Sequence, residues 1–120
     1  MAASGRVYSY SRCSTCRKAL AWLKEQQIPY ELCDIVDSPP CKEVLRKAFE
    51  QLGDRKFLFN TSGLSYRALG SAAVKAMSDD EALEALAGDG KLIKRPLLIN
   101  DSGKVLVGFK PDVWTEFLLN

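Results

Sequence analysis

The sequence of 120 residues contains no histidine. Histidine is the usual base that activates a serine or cysteine nucleophile, so its absence excludes Ser-His and Cys-His pairs. The chain also lacks the side chain whose charge most readily changes near neutral pH. A cysteine with a lowered pKa is then the group best suited to ionise in that range. Any nucleophilic chemistry of this chain is therefore best sought at its cysteines.

The sequence also lacks a long apolar run, since none approaches the length of about 20 residues that a membrane-spanning helix needs. Residues 1–5 have no apolar core, so we expect neither a signal peptide nor association with a membrane. The net charge is only +2, which is too small to predict direct binding to DNA. We therefore predict a cytoplasmic protein, in a compartment that keeps thiols reduced.

Residues 7–23 are typical of a short strand, a polar turn and a helix. Cys13 falls where the helix begins, and the free N–H groups and dipole of a helix start favour a thiolate there. Arg12 and Arg17 add positive charge nearby, and Arg17 is a candidate ligand for an anionic substrate. Cys16 lies three residues on, on the same helical face as Cys13. The Cys-x-x-Cys motif therefore predicts a redox-active dithiol.

Other interpretations of the cysteines stay open at this point. A cysteine is often a small buried hydrophobe, and Cys33 and Cys41 bring the total to the four that a zinc site can use. These two are not closely spaced, however, and no histidine is available, so we predict no metal site. Structural disulfides are typical of small secreted chains, which does not fit the cytoplasmic protein that we predict here. We expect Cys33 and Cys41 to stay reduced, although a helix start could also activate Cys41.

The periodicity of apolar residues predicts the elements in order. Helices are predicted over about 14–27, 40–52, 65–69, 78–87 and 112–118, and strands over about 7–10, 30–35, 97–99 and 105–107. The first strand, helix and strand form a βαβ unit with parallel strands, and the last two strands form a hairpin. We predict one domain over residues 1–120, with a helical insert over about 39–90. This is a thioredoxin-like α/β fold with a central four-stranded mixed sheet.

Several motifs occur together in this chain, and their combination is specific. They are Cys13-Ser14-Thr15-Cys16-Arg17-Lys18, the helical insert, Lys94-Arg95-Pro96 and Val107-Gly108-Phe109. With these motifs nearly the whole chain resembles the arsenate reductase-like ArsC/Spx family. Glutaredoxin-linked arsenate reductases of that family lack a cysteine at the position of Cys16, whereas the Spx-like branch has it. The chain therefore resembles the Spx-like branch with its CxxC motif.

The resemblance implies a role for each matching residue. The family nucleophile corresponds to Cys13, and an arginine that holds the oxyanion corresponds to Arg95. The next residue, Pro96, is implied to form a cis peptide bond that faces the cysteines. A second oxyanion-binding arginine falls by position on Lys110, and a third falls near Asn60, where this chain has no arginine.

From the dithiol and the resemblance we predict a thiol-dependent oxidoreductase that resembles glutaredoxin-linked arsenate reductase and reduces arsenate or disulfide substrates. Cys13 attacks the small oxyanion or disulfide, and Cys16 then closes the Cys13–Cys16 disulfide. Glutathione, glutaredoxin or thioredoxin would reopen this bond as external reductant, with no organic cofactor or metal. The alternative is an Spx-like redox-sensing transcriptional regulator that binds RNA polymerase. A redox-inert binding module is a third interpretation.

Overall fold

The computed structural model of the protein describes residues 5–119. They form a four-stranded mixed sheet and six α-helices, so the predicted α/β fold is confirmed. The chain divides into two compact units, one of Met1–Cys33 with Arg95–Asn120 and the other of Asp34–Lys94. No helix within residues 5–119 combines the length and the apolarity that crossing a membrane requires.

The sheet has the order β2-β1-β3-β4. Its strands are β1 (Gly5–Ser9), β2 (Glu31–Asp34), β3 (Leu97–Asn100) and β4 (Val105–Val107). One pair is parallel, as the βαβ unit predicts, while β3 runs antiparallel to both β1 and β4. Val7 lies opposite Leu98, which in turn lies opposite Leu106. A row of apolar side chains therefore crosses three strands and offers one surface for a helix to cover.

Two helices of the first unit contribute to the core on this sheet, namely α1 (Ser14–Glu25) and α6 (Pro111–Leu119). The core comprises Val7, Ala19, Leu23, Leu98, Leu106 and Trp114. Full burial of one leucine side chain stabilises a fold by about 1.5–3 kcal/mol. Ala19 and Leu23 are four residues apart, so they share one face of α1 and hold that helix on the sheet. Its first turn is thereby held in place at the end of β1.

The second unit is mainly helical. Its helices are α2 (Lys42–Leu52), α3 (Leu64–Leu69), α4 (Ser71–Ala76) and α5 (Asp79–Gly88). α2 packs against α5, and Lys42 Nζ lies 3.1 Å from Asp80 Oδ1 and 3.3 Å from Glu84 Oε1. α5 begins with a capping box, in which the Ser78 hydroxyl accepts from the Glu81 N–H and the Glu81 carboxylate accepts from the Ser78 N–H.

Two details of this unit differ from the sequence predictions. α2 begins at Lys42, and Cys41 is its N-cap residue in extended conformation rather than a member of its first turn. The Cys41 carbonyl accepts the first helical hydrogen bond, from the Leu45 N–H at 3.0 Å. α4 is not predicted from the sequence, because it is short and Val74 is its buried residue. One buried position gives no periodicity to detect.

Candidate active site

Cys13 lies between β1 and α1, as the N-cap residue of α1 with φ −97° and ψ 119°. Its carbonyl accepts the first helical hydrogen bond from the Arg17 N–H at 3.1 Å, and its own N–H donates to the Tyr10 carbonyl at 3.0 Å. The N–H groups of Thr15 and Cys16 face the Cys13 sulfur, without the tight geometry of a side-chain cap. The turn and the helix together fix this half-buried thiol at the helix start.

The surroundings of Cys13 favour its thiolate form. Partial burial acts to raise the pKa of the Cys13 thiol. Several groups lower this pKa and so oppose the effect of burial: the N–H and the thiol of Cys16, the N–H of Thr15 and the positive charge of Arg95. Together these groups outweigh burial, so the pKa of Cys13 lies below its ordinary value. The start of the helix therefore causes only part of the lowering, because the thiol of Cys16 and the charge of Arg95 also contribute.

Cys16 is fully buried, with no exposed side-chain surface. The Tyr10 N–H donates to its Sγ at 3.4 Å, and the Ser9 hydroxyl acts on this sulfur as a second donor, which lowers the pKa of Cys16. Burial raises the pKa of Cys16, and the hydrogen bond to Cys13 and the charge of that residue raise it further. These causes outweigh the donors on Ser9 and Tyr10. The two thiols are thus unequal, since one is acidic and reachable and the other is buried and protonated.

Arg95 and Pro96 come directly before β3, in the same unit as the two cysteines. Their peptide bond is cis, as the resemblance implies. The Arg95 guanidinium lies 4.9 Å from the centre of the Tyr10 ring, within the range of a cation–π contact. Pro96 is fully buried, and its carbonyl accepts from the Gly108 N–H at 2.9 Å. Tyr10 therefore connects Arg95 to the turn that holds Cys13.

The other three candidate anion ligands have local contacts of their own. Arg17 is exposed, and its guanidinium donates to the Ser11 carbonyl at 2.9 Å, which braces the turn before α1. Lys110 is exposed and directly precedes α6. Asn60 belongs to the second unit, where its Oδ1 accepts from the Ser62 hydroxyl at 3.1 Å. Their anion-binding roles stay predictions.

The remaining cysteines differ from the pair on α1. Cys33 in β2 is half-buried and Cys41 is exposed, and both are free thiols. Burial raises the pKa of Cys33. The negative charge of Glu31 raises this pKa further, whereas the positive charge of Arg6 acts to lower it. Within residues 5–119, no three Cys, Asp or Glu side chains are grouped closely enough to hold a metal ion.

Sequence reasoning missed the part that the end of β1 plays in this site. It treats Tyr10 as a strand residue, whereas the backbone and ring of Tyr10 contact Cys13, Cys16 and Arg95. It gives no role to Ser9, whose side chain is buried beside Cys16. The available signal is alternation along the strand, which places a hydroxyl at Ser9 on the face that holds the buried Val7.

Comparison with known proteins shows which family the chain matches. Residues 8–117 match the model of the ArsC family. A solved structure of a possible arsenate reductase from Streptococcus mutans UA159 is 44% identical to this chain, with a TM-score of 0.84. The match covers 91% of this chain and 93% of that one.

Two curated relatives extend the comparison. The uncharacterized protein YusI of Bacillus subtilis (strain 168) is 49% identical over 111 residues, which are 91% of this chain and 93% of YusI. The global transcriptional regulator Spx of Listeria innocua serovar 6a is 28% identical over 116 residues, which are 93% of this chain and 85% of Spx. The proteins to which this chain is similar thus include one described as a possible arsenate reductase and one named as a transcriptional regulator.

Proposed function

Because the chain belongs to the ArsC family, we propose that it is a thiol-dependent oxidoreductase in which Cys13 is the nucleophile and Cys16 the resolving cysteine. The observation that carries this proposal is the inequality of the two thiols. The pKa of Cys13 is lowered by hydrogen bonds and a cation that outweigh its burial, whereas burial raises that of Cys16. Since the thiolate is the attacking form of cysteine, Cys13 reacts first.

In the first step the Cys13 thiolate attacks the substrate. With a disulfide, a bond forms between Cys13 Sγ and one substrate sulfur while the substrate S–S bond breaks, and the other sulfur leaves as a thiolate. With arsenate, the Cys13 sulfur bonds to arsenic and one arsenate oxygen leaves as water after protonation. Either route leaves a covalent adduct on Cys13.

In the second step Cys16 loses its proton and attacks Cys13 Sγ. The Cys13–Cys16 bond forms as the bond from Cys13 to the substrate breaks, and its electron pair leaves on the substrate sulfur or on arsenic, as arsenite. Two thiols are oxidised, and one disulfide or one arsenic(V) centre is reduced. Glutathione, glutaredoxin or thioredoxin of the cytoplasm then supplies the two electrons that reopen the bond, with no prosthetic cofactor.

We assign the negative charge of an oxyanion first to Arg95. Its charge acts on Cys13, and a guanidinium can grip two oxygens at once. Lys110 offers one point charge on a flexible stem, and Arg17 is already bonded to the Ser11 carbonyl. Asn60 offers only a neutral hydrogen bond. An arsenate ion would therefore depend on Arg95 more than on the other candidates.

A second candidate function is a redox-sensing regulator, which the similarity to Spx favours. In that role the same Cys13–Cys16 disulfide would alter a surface that binds RNA polymerase, and no substrate would turn over. The chemistry of the dithiol is common to both functions. Only the fate of the oxidised form distinguishes them.

Steady-state turnover tests the enzymatic proposal. Purified protein is mixed with arsenate, or with a small disulfide, and with either the glutathione–glutaredoxin or the thioredoxin system, and the consumption of NADPH is followed. With the small disulfide we expect turnover that Cys16→Ser slows while a mixed disulfide on Cys13 accumulates, seen by mass spectrometry, because an external thiol must then resolve the adduct. No turnover with either substrate, together with capture of RNA polymerase by one redox form alone, would establish the regulator instead.

A further inference from the structure

Two donors at the end of β1 act on the Cys16 sulfur. Ser9 is the last residue of that strand, and the residue is only 5% exposed. A hydroxyl so deeply buried needs a hydrogen-bond partner, and it finds one in the Cys16 sulfur. The next residue, Tyr10, directs its backbone N–H to the same Sγ at 3.4 Å. Both groups are donors, and donors stabilise a thiolate more than a thiol.

In the resting dithiol these donors are not enough to ionise Cys16. Burial raises the pKa of Cys16, and so do its hydrogen bond to Cys13 and the charge there. A covalent bond between Cys13 and a substrate removes both the charge and the acceptor. The Cys16 sulfur then stays buried, and the donors on Ser9 and Tyr10 are what remains to act on it. Reaction at Cys13 therefore changes the surroundings of Cys16 in the direction that favours its ionisation.

We propose that Ser9 is a catalytic residue for the second step alone, in which its hydroxyl and the Tyr10 N–H stabilise the attacking Cys16 thiolate. This inference rests on the proposed thiol–disulfide function. The electron pair of Cys16 forms the bond to Cys13, and the pair of the breaking bond leaves on the substrate sulfur. The proton of Cys16 passes to solvent, while Ser9 keeps its own proton and donates only a hydrogen bond.

A coloured disulfide separates the two steps. Dithiobis(nitrobenzoate) releases one coloured thiolate when Cys13 attacks it, and a second when Cys16 attacks the adduct on Cys13. Cys33 and Cys41 are replaced by serine, so that only the pair on α1 reacts. Stopped-flow absorbance then gives the rate of each step in a single turnover.

Three variants isolate the hydroxyl. Ser9→Ala removes it, and Ser9→Thr and Ser9→Val form a matched pair of nearly equal shape in which only threonine carries the hydroxyl. Losing the donor lowers the thiolate fraction of Cys16 about tenfold, while the remaining thiolate becomes about threefold more nucleophilic. We therefore expect the second release to slow about three- to tenfold in Ser9→Ala and Ser9→Val. Ser9→Thr should stay near the parent rate.

The first release serves as the internal control. We expect its rate to be unchanged in all three variants, because Ser9 acts on Cys16. Equal slowing of both releases, or a second release unaffected by loss of the hydroxyl, would overturn the role of Ser9. Release of one coloured thiolate per parent protein would show that Cys16 does not resolve the adduct, and that result overturns the proposed function itself.

Discussion

Cys13 and Cys41 occupy the same position at the start of two different helices. Each is the N-cap residue of its helix, in extended conformation with ψ of 119° and 166°. Each therefore has the free N–H groups of a first turn and the positive end of a helix dipole beside it. If a helix start were sufficient to make a reactive thiol, the two cysteines would be equivalent.

The two sites differ in what else lies around the sulfur. Cys13 is half-buried and has the N–H and thiol of Cys16 and the charge of Arg95 acting on it. Cys41 is exposed, and the neighbouring cation, Lys42, is bonded to carboxylates of α5. A charge in water is screened far more than one in a partly buried site. We therefore attribute the reactivity of Cys13 to Cys16 and Arg95 as well as to the start of the helix. Four predictions test this attribution.

The largest effect should come from exchanging each N-cap cysteine for serine. Cys13→Ser is expected to lower turnover of a disulfide substrate by at least about a hundredfold, because a hydroxyl is far less ionised than a thiol. Cys41→Ser, which makes the same change at the other helix start, should leave turnover unchanged. A comparable loss in both variants would show that the helix start alone confers reactivity.

The next effect concerns Arg95, the cation whose charge acts on Cys13. Arg95→Ala is expected to weaken binding of arsenate or sulfate by about ten- to a hundredfold, the usual value of a charge-assisted hydrogen bond. Arg95→Lys should recover part of the affinity, and Lys110→Ala should lose less than Arg95→Ala. Titration calorimetry measures all three. Equal affinity of wild type and Arg95→Ala would rule out an oxyanion site at this residue.

A smaller, several-fold effect is expected in the alkylation of the thiols. The pH midpoint for reaction of Cys13 with iodoacetamide should lie below about 8.5, the value of a free cysteine. Arg95→Ala should raise that midpoint, because the cation beside the thiolate is lost. At neutral pH, mass spectrometry should find Cys13 modified faster than Cys16. The reverse order would contradict the assignment of nucleophile and resolving cysteine.

The smallest effect should appear in stability. The pKa of Cys13 is lowered in the fold, so its contribution is present above the unfolded pKa and is lost as the pH falls through the folded value. The free energy of unfolding of wild type relative to Cys13→Ser should therefore rise with pH from the folded pKa of Cys13 up to the pKa of an unfolded cysteine, about 8.5. Cys16 has a raised pKa and acts in the opposite sense, and its contribution cancels only in part between the two proteins, because Cys13 is one cause of that rise. Urea unfolding measures the difference, with Cys41→Ser as the flat control.

Local sequence patterns predict most of the fold and the position of the two cysteines, but not the contacts around them. The alternation in β1, the spacing of Ala19 and Leu23 and the hairpin after Leu97 are short-range signals, and each corresponds to an observed element. The position of Cys13 at a helix start is equally local. The hydrogen bond from Ser9 to Cys16 and the contact of Arg95 with Tyr10 depend on packing. A single sequence carries no local pattern for such contacts.

The aromatic cluster of the first unit has a consequence for spectroscopy. Trp22 and Trp114 are the only tryptophans of the chain, and their rings meet edge-on with centroids 6.1 Å apart. Phe109 completes the cluster, 5.0 Å from Trp114. The unit Asp34–Lys94 contains no tryptophan. Intrinsic tryptophan emission therefore reports on the dithiol unit alone, whereas helical circular dichroism sums the helices of both units, so a difference between the two signals during unfolding reports on the unit Asp34–Lys94.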